Sequence, residues 1–231
     1  MKCETIGNGT ASRVVVNLGC GPLAGRTSWI DCDGSWNARL NALPASVQQM
    51  VRSALRGINS RMHQWPPHVR YVNLLKPLPF ANYSVDAVYA SHVWEHLYRQ
   101  DAEKVTREVL RVLKPGGVLR LAVPNLEHYC RVYLSDAGSA EAAGHLNEKL
   151  LLRLSARPAG IKGLYAAFAD FHSHKFMYDA PSLCALLKGA GFEQVERKDA
   201  FDSRIPEIVE VESRERVSPT AGIAVEGVKP A

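Results

Sequence analysis

The segment Val14-Val15-Val16-Asn17-Leu18-Gly19-Cys20-Gly21 is an apolar, β-branched run that stops at two glycines. Such a run predicts a short buried strand, because β-branched side chains favour extended backbone and no polar face interrupts them. The glycines predict a sharp turn in which the backbone can approach a ligand closely. Taken alone, the loop fits an ordinary turn, and it also fits the Gly-x-Gly-x-x-Ala variant of nicotinamide-binding proteins.

Outward from this segment, short apolar runs alternate with helical patterns. Further strands are predicted at 29–33, 69–75, 85–90, 118–123, 192–197 and 223–228. Apolar residues recur with helical spacing over 37–62, 101–113, much of 125–170, and 181–188. Strands that alternate with helices predict an α/β fold, a parallel sheet covered on both faces.

The pattern predicts one domain over residues 1–231, since no repeat or long linker divides the chain. We expect residues 1–12 to form a flexible N-terminus. Residues 125–180 are expected to form a helical insertion, or lid, over the carboxyl edge of the sheet, where ligands bind in such folds.

Charge, cysteines and hydropathy limit the classes of function. The net charge of +5 is modest and the basic residues are scattered, so nucleic acid is not indicated as a partner. The five cysteines are widely spaced, which is typical of reduced thiols rather than of a disulfide frame or a zinc knuckle. No apolar signal segment and no run of about 18 apolar residues is present, so we expect no membrane span and a cytoplasmic location. No motif specifies an oligomeric state.

The connection to the second predicted strand separates two classes of cofactor. That strand begins at Trp29, so the link from Gly21 is shorter than the dozen or so residues of a usual strand–helix–strand crossover. Dinucleotide sites place the pyrophosphate at the N-terminus of that first helix, whereas S-adenosylmethionine carries no phosphate. Asp33 ends the second strand, where a carboxylate can accept hydrogen bonds from both ribose hydroxyls or can cap the following turn.

Together, these segments resemble class I S-adenosylmethionine-dependent methyltransferases of the type 11-like kind. Residues 17–21 and 29–33 look like motifs I and II, and they are most similar to a subgroup with a "GWINVD"-like second strand and a shortened first crossover. Further segments match the family in order and spacing: 77–80, 85–92, 95–97, 113–120, 174–178 and 191–192. No single motif is specific, but the ordered set is.

The resemblance implies a Rossmann-like, seven-stranded, mostly parallel sheet whose last strand is antiparallel, and it implies S-adenosyl-L-methionine as cofactor. The cofactor-binding residues that it implies are Gly19, Cys20 and Gly21 in the loop, Asp33 for the ribose, Asn73 and Leu74 beside the adenine, and Ser91 and His92 at the methionine end. Many members carry Asp where this chain has Asn73, but an amide oxygen can still accept from the adenine amino group.

A histidine-rich segment, His92-Val93-Trp94-Glu95-His96, begins directly at the end of a predicted strand. Its His-x-x-Glu-His pattern occurs in inverted zinc peptidases, but that site needs both histidines on one helix face and a third ligand. The segment is also similar to the Glu-x-x-Glu-His of certain metal-assisted O-methyltransferases that act on RNA ends or quinone precursors. A divalent metal is therefore an alternative, although a general base or an orienting role is favoured.

Methyl transfer from a sulfonium is an in-line displacement, so positioning and exclusion of water supply much of the rate. A base is needed only if the acceptor must lose a proton, and imidazole suits that task. The predicted catalytic residues are His92, His96 and His174; His172 beside the last is either part of the site or a surface residue. We expect a small-molecule or glycosyl acceptor methylated at oxygen. A non-catalytic S-adenosylmethionine-binding partner subunit and an NAD-dependent oxidoreductase are the alternatives.

Overall fold

The computed structural model describes residues 13–21, 28–55, 66, 68–150, 173–218 and 220–231. The strands in these ranges are β1 (Val15–Leu18), β2 (Ile30–Asp33), β3 (Arg70–Tyr71), β4 (Val85–Ser91), β5 (Leu113–Pro124), β6 (Glu193–Lys198) and β7 (Gly222–Val228). The helices are α1 (Trp36–Asn41), α2 (Ala45–Leu55), α3 (Arg99–Val112), α4 (Leu126–Ser135), α5 (Ala142–Lys149), α6 (Ala180–Ala190) and α7 (Ile208–Val211). One turn of 3-10 helix, Trp94–His96, lies between β4 and α3.

The seven strands form one sheet in the order β3-β2-β1-β4-β5-β7-β6. Neighbouring strands from β3 to β5 run parallel, and β7 is antiparallel to both β5 and β6. The order reverses between β1 and β4, and open α/β sheets bind ligands at such a switch point. This seven-stranded, mostly parallel sheet with an antiparallel last strand is the Rossmann-like α/β fold that the sequence predicts.

The core covers both faces of the sheet because the buried strands alternate their side chains between them. Val88 and Ala90 of β4 lie in the large core that α3 and α6 cover, whereas Tyr89 lies in a smaller cluster with Trp29 and Ile205. Helix α6 is well delimited: Asp179 and Ser182 form a capping box at its start, and Gly191 ends it at φ +105°. The predicted helix over 181–188 is confirmed.

Two predicted elements differ from the structure. The strand expected at 69–75 is only the two residues of β3, and both are exposed. The strand ends early because the chain turns at Asn73, whose carbonyl accepts from the backbone N–H of Lys76 at 3.0 Å. The helical spacing over 37–62 is divided between two helices: α1 ends at Asn41, and the main helix, α2, begins directly after Pro44, as expected of a proline at a helix start. Residues 56–62 lie outside the described residues.

Part of the predicted architecture lies outside the residues that the structure describes. The expected flexible terminus at 1–12 lies outside the described residues, as do residues 151–172 of the expected insertion. Within residues 125–150 the insertion holds α4 and α5. In the ranges that the structure covers, no helix is both long and apolar enough to cross a membrane.

Arg120 lies on β5 with no exposed surface and forms a buried ion cluster with Glu212 and Glu226. Its Nε and Nη2 donate to the two oxygens of Glu212 at 2.9 and 2.7 Å. Nη1 donates to Glu226 at 3.1 Å, and the remaining bonds go to the carbonyls of Asp199 and Asp202. All five guanidinium N–H groups are therefore used, and the chain after β6 is tied to the sheet.

Candidate active site

The turn after β1 is fixed by the neighbouring strand, since the backbone N–H groups of Gly19 and Cys20 donate to the carbonyl of Cys32 at 2.8 and 3.1 Å. Gly19 and Gly21 have φ values of +72° and +63°, a conformation that favours glycine. A Cβ at Gly19 would lie 2.2 Å from Cγ2 of Val93, so any larger residue there would have to displace that side chain. Among the described residues other than its chain neighbours, no atom lies within 4 Å of a Cβ placed at Gly21, so this glycine faces open space.

Asp33, the predicted ribose ligand, links this loop to the next turn. Its Oδ2 accepts from the backbone of Gly21 at 3.2 Å, and its Oδ1 accepts from the backbone of Ser35 at 2.7 Å. The capping contact of a plain turn residue is thus present, and the carboxylate also contacts the glycine loop. The structure therefore brings the loop and the acid together at the carboxyl edge of the sheet.

The predicted adenine-side residues lie at the same edge. In the β2–β3 pair Asp33 is opposite Tyr71, so Asn73 follows only two residues beyond that register position. Asn73 is exposed, and its Oδ1 accepts from the backbone of Leu75 at 2.9 Å. Leu74 is half-buried against the core. The Asn73 oxygen that was expected to face adenine therefore takes part in a local turn.

His92 has a backbone conformation that is rare for a non-glycine residue, with φ at +57°. It follows Ser91, the buried last residue of β4. The backbone N–H of His92 donates to the carbonyl of Ala122 at 2.8 Å. The imidazole Nδ1 lies 3.2 Å from Oε1 of Glu95, an ionic approach without hydrogen-bond alignment. His92 and His96 are not on one helix, because only a single 3-10 turn starts at Trp94. The zinc-peptidase arrangement is therefore absent from this segment.

A cluster of Glu95, His96 and His174, which we call the Glu–His cluster, lies beside His92. Glu95 has no exposed surface, and its carbonyl accepts from the backbone of Lys175 at 2.7 Å. The rings of His96 and His174 have centroids 5.0 Å apart. One ligand-type atom from each member lies within 4.8 Å of those of the other two. The three predicted histidines thus lie around one buried carboxylate, whereas His172 lies outside the described residues.

Several buried polar atoms in this region have no hydrogen-bond partner within the part of the chain that the structure describes. They are both carboxylate oxygens of Glu95, Nε2 of His92 and Nδ1 of His174. Buried polar groups are nearly always hydrogen-bonded in folded proteins, and those that are not call for a ligand, an ion or water. The site therefore has unused capacity to bind one.

Burial governs the protonation of the site. It lowers the pKa of His174, and the neighbouring His96 and His92 lower it further, although the charge of Glu95 opposes them. Burial also raises the pKa of Tyr178 to about 12. At neutral pH His174 is therefore a neutral imidazole, able to accept a proton or a metal ion, and Tyr178 keeps its phenolic proton.

Sequence reasoning did not rank Glu95 or Tyr178 among the site residues. The signal for Glu95 was its place between two histidines, within a segment too short to be a helix. Tyr178 lies in the segment 174–178 that resembles the family, but an aromatic residue there is equally expected in a core. Only the fold shows that both side chains are buried, with Glu95 close enough to influence the pKa of His174 and of Tyr178.

Comparison with known families bears on this arrangement. Residues 16–121 match the family model described as a methyltransferase domain. The matched range holds the glycine loop, Asp33, and the segment from His92 to His96. It supports S-adenosylmethionine-dependent methyl transfer. No protein of curated function matches the sequence significantly.

Several solved structures are similar to this chain. A chain from the complex of the Haloferax volcanii Trm112 methyltransferase activator with a proposed methyltransferase is 19% identical, with a TM-score of 0.48, and the match covers 95% of this chain and 83% of that one. A SAM-dependent methyltransferase from Archaeoglobus fulgidus is 14% identical, with a TM-score of 0.48 and coverage of 94% and 86%. A possible histamine N-methyltransferase from Thermotoga maritima is 17% identical, with a TM-score of 0.47 and coverage of 95% and 83%. The chain spans about half the length of three larger carbon methyltransferase chains that it also matches.

Proposed function

We propose that this chain transfers the methyl group of S-adenosylmethionine to an oxygen atom of a small-molecule or glycosyl acceptor. The observation that carries the proposal is the contact of the Asp33 carboxylate with the backbone of Gly21, at the switch point of the sheet. The match of residues 16–121 to a methyltransferase domain supports it.

The cofactor binds along the carboxyl edge of β1, β2 and β4 in this proposal. The open space at Gly21 lets the cofactor approach the backbone of the loop, and Asp33 accepts hydrogen bonds from the ribose hydroxyls. Cys20 completes the loop, Asn73 and Leu74 border the adenine, and Ser91 with His92 lines the methionine end. The short connection from Gly19 to Trp29 agrees with the subgroup that has a reduced first crossover.

The acceptor is placed against the histidines. His92 lies beside Glu95, with its Nδ1 3.2 Å from Oε1, and its Nε2 has no hydrogen-bond partner among the described residues, so this nitrogen is free to accept a proton. His92 therefore removes the acceptor proton as the methyl group is transferred in line. His96 and His174 position the acceptor, or one of them serves as the base in place of His92.

The chain acts in the cytoplasm in this proposal, as a single domain. Cys20, Cys32, Cys130 and Cys184 are free thiols, which is typical of proteins from a reducing compartment. Burial raises the pKa of Cys20 in the glycine loop far above its usual range, so this thiol stays protonated and inert beside the cofactor.

Calorimetric titration with S-adenosylhomocysteine, with NAD in parallel, tests the proposal. Wild-type protein is expected to bind S-adenosylhomocysteine with a Kd in the micromolar range and to ignore NAD. Asp33→Asn is expected to weaken binding at least tenfold, about 1.4 kcal/mol, because an amide accepts poorly from two hydroxyls at once. Asp31→Asn is the matched control on the same strand, since Asp31 is bound to Asn17 instead, and it should leave Kd within about threefold.

Other outcomes of this titration point elsewhere. Binding of NAD without S-adenosylhomocysteine would support the oxidoreductase and overturn the proposal. If S-adenosylhomocysteine binds but no oxygen acceptor in a screen of sugars and small phenols receives labelled methyl, the chain is the non-catalytic partner subunit.

A further inference from the structure

We propose that Glu95, His96 and His174 bind one divalent transition-metal ion, such as Zn²⁺ or Mn²⁺. The inference deepens the proposed function and rests on it for the chemistry that the ion would perform. The binding itself is argued from the Glu–His cluster alone.

The first argument is that the buried carboxylate of Glu95 lacks hydrogen bonds, although Nδ1 of His92 lies 3.2 Å from Oε1. This carboxylate has no exposed surface, and within the described residues neither of its oxygens accepts a hydrogen bond. A buried carboxylate left in this state is costly, because it loses its hydration without gaining donors. A bound cation supplies the missing charge and occupies the vacant lone pairs.

The second argument is that two histidine side chains converge on the same point. A ligand-type atom of Glu95, one of His96 and one of His174 all lie within 4.8 Å of each other. Metal–ligand distances of about 2.1 Å place two ligand atoms of one tetrahedral ion roughly 3.4 Å apart. Side-chain rotations that move these atoms by about 1 Å therefore close the site. Nδ1 of His174, a buried atom without a partner in the described chain, can serve as a ligand.

The set of ligands selects the class of ion. Two imidazoles with one carboxylate suit first-row transition metals, whereas Ca²⁺ and Mg²⁺ prefer all-oxygen sites. Three protein ligands also leave a coordination position open, as in catalytic rather than structural zinc sites. An acceptor hydroxyl bound there would have a lowered pKa, and His92, whose Nδ1 lies 3.2 Å from Oε1 of Glu95, is beside the cluster to take its proton.

The location fits this use. Val93, directly before the turn that carries Glu95 and His96, is the residue that fills the space at Gly19. The cluster and the cofactor loop are thus in contact through one side chain. An acceptor held by the ion would lie next to the methionine end of the cofactor.

Titration of the chelator-treated, full-length chain with Co²⁺ tests the inference, because Co²⁺ replaces such ions and its visible bands report coordination by protein ligands. Wild-type protein is expected to bind one equivalent of Co²⁺. His96→Asn and His174→Asn are each expected to weaken Co²⁺ binding at least tenfold. His145→Asn is the matched control, an exposed histidine on α5 beside Glu141, and it should leave Co²⁺ binding unchanged.

S-adenosylhomocysteine binding, measured on the same samples, separates this inference from the proposed function. Cofactor binding that persists in both variants, with Co²⁺ binding lost, supports both. Wild-type protein that binds S-adenosylhomocysteine but no stoichiometric Co²⁺, or variants that bind Co²⁺ as well as wild type, would overturn the metal site alone. If one variant fails to fold by far-UV circular dichroism, the other decides. A Zn²⁺-induced rise in Tm that wild type shows and the folded variant lacks supports the site, and no such rise in wild type opposes it.

Discussion

Two glutamates with no exposed surface lie in this fold under opposite conditions. Glu226 accepts hydrogen bonds from Nη1 of Arg120, from the hydroxyl of Ser203 and from the backbone of Arg204. Glu95, equally buried, accepts none from the described residues. A complete set of bonds is typical of a polar group that holds the structure together. An incomplete set of hydrogen bonds indicates a group that binds a ligand, an ion or water.

The contrast extends to what each cluster fixes. The Arg120 cluster closes on itself, using two carboxylates and two carbonyls, and thereby anchors the chain between β6 and β7. The Glu–His cluster joins the end of β4 to the segment at His174 and brings one ligand-type atom of each member within 4.8 Å of the other two. We expect substitutions in the first cluster to reduce stability, and substitutions in the second to reduce metal-ion binding and turnover.

The largest effect is expected for Arg120→Met. It leaves Glu212 and Glu226 buried without their counter-charge, a change that costs about 3–5 kcal/mol of unfolding free energy. Urea denaturation followed by circular dichroism measures it. Arg131→Met is the matched control, since Arg131 pairs with Glu127 on the surface, and it should cost no more than about 0.5 kcal/mol. Equal losses in the two variants would show that the buried cluster is not structural.

The same substitution at the two buried glutamates sharpens the comparison. Glu226→Gln breaks a satisfied network and is expected to lower the free energy of unfolding by about 3 kcal/mol. Glu95→Gln removes a buried carboxylate that accepts no hydrogen bond from the described residues, so the free energy of unfolding should be unchanged or raised by up to about 1 kcal/mol. Urea titrations of both variants at pH 7 compare them, with S-adenosylhomocysteine binding as the check on folding. A loss at Glu95 as large as that at Glu226 would contradict our interpretation of Glu95.

A smaller effect is expected at the partly exposed ion pair of Arg111 and Glu108. Arg111 donates to both oxygens of Glu108, and these bonds hold the pKa of Glu108 below its ordinary value of 4.5. A carboxyl with a lowered pKa stabilises the fold above its ordinary value, and the contribution disappears as the pH falls through the lowered value. Glu108→Gln should therefore cost at most about 1 kcal/mol at pH 7.

That cost should vanish well below pH 4.5, where the wild-type carboxyl is protonated as well. Urea midpoints across this range, for wild type and variant together, give the difference. A cost that stays constant with pH would mean that packing, and not charge, accounts for Glu108.

Much of the fold could be predicted from the sequence, because it depends on local signals. The apolar run at 14–18, the glycine loop and the alternation of strands with helices identify the α/β sheet, and family resemblance supplied the antiparallel last strand. Boundaries were less certain where local and tertiary forces compete. The strand expected at 69–75 keeps only two residues, since it lies at the edge of the sheet and pairs only with β2.

The site could be predicted only in part. The glycines and Asp33 follow from strand ends that meet at one edge, and His92 and His96 from their shared segment. Arg120 gave no such signal, and Glu95 gave only its place beside His96, because the roles of both residues depend on what surrounds them after folding. Both residues are charged side chains next to apolar segments, and the sequence alone does not tell which of the two has hydrogen-bond partners after folding. The hydrogen-bond partners that distinguish them come from residues far along the chain.

The contact between Gly19 and Val93 limits how this protein can evolve. With 2.2 Å between Cγ2 of Val93 and a Cβ at position 19, any other residue there displaces Val93. Such a displacement reaches the turn that carries Glu95 and His96, so one substitution damages the cofactor loop and the Glu–His cluster together. Gly21, which faces open space, lacks this double penalty. Gly19 should therefore tolerate fewer substitutions than Gly21. In a library of random substitutions at the two glycines, fewer variants at Gly19 should remain folded and functional.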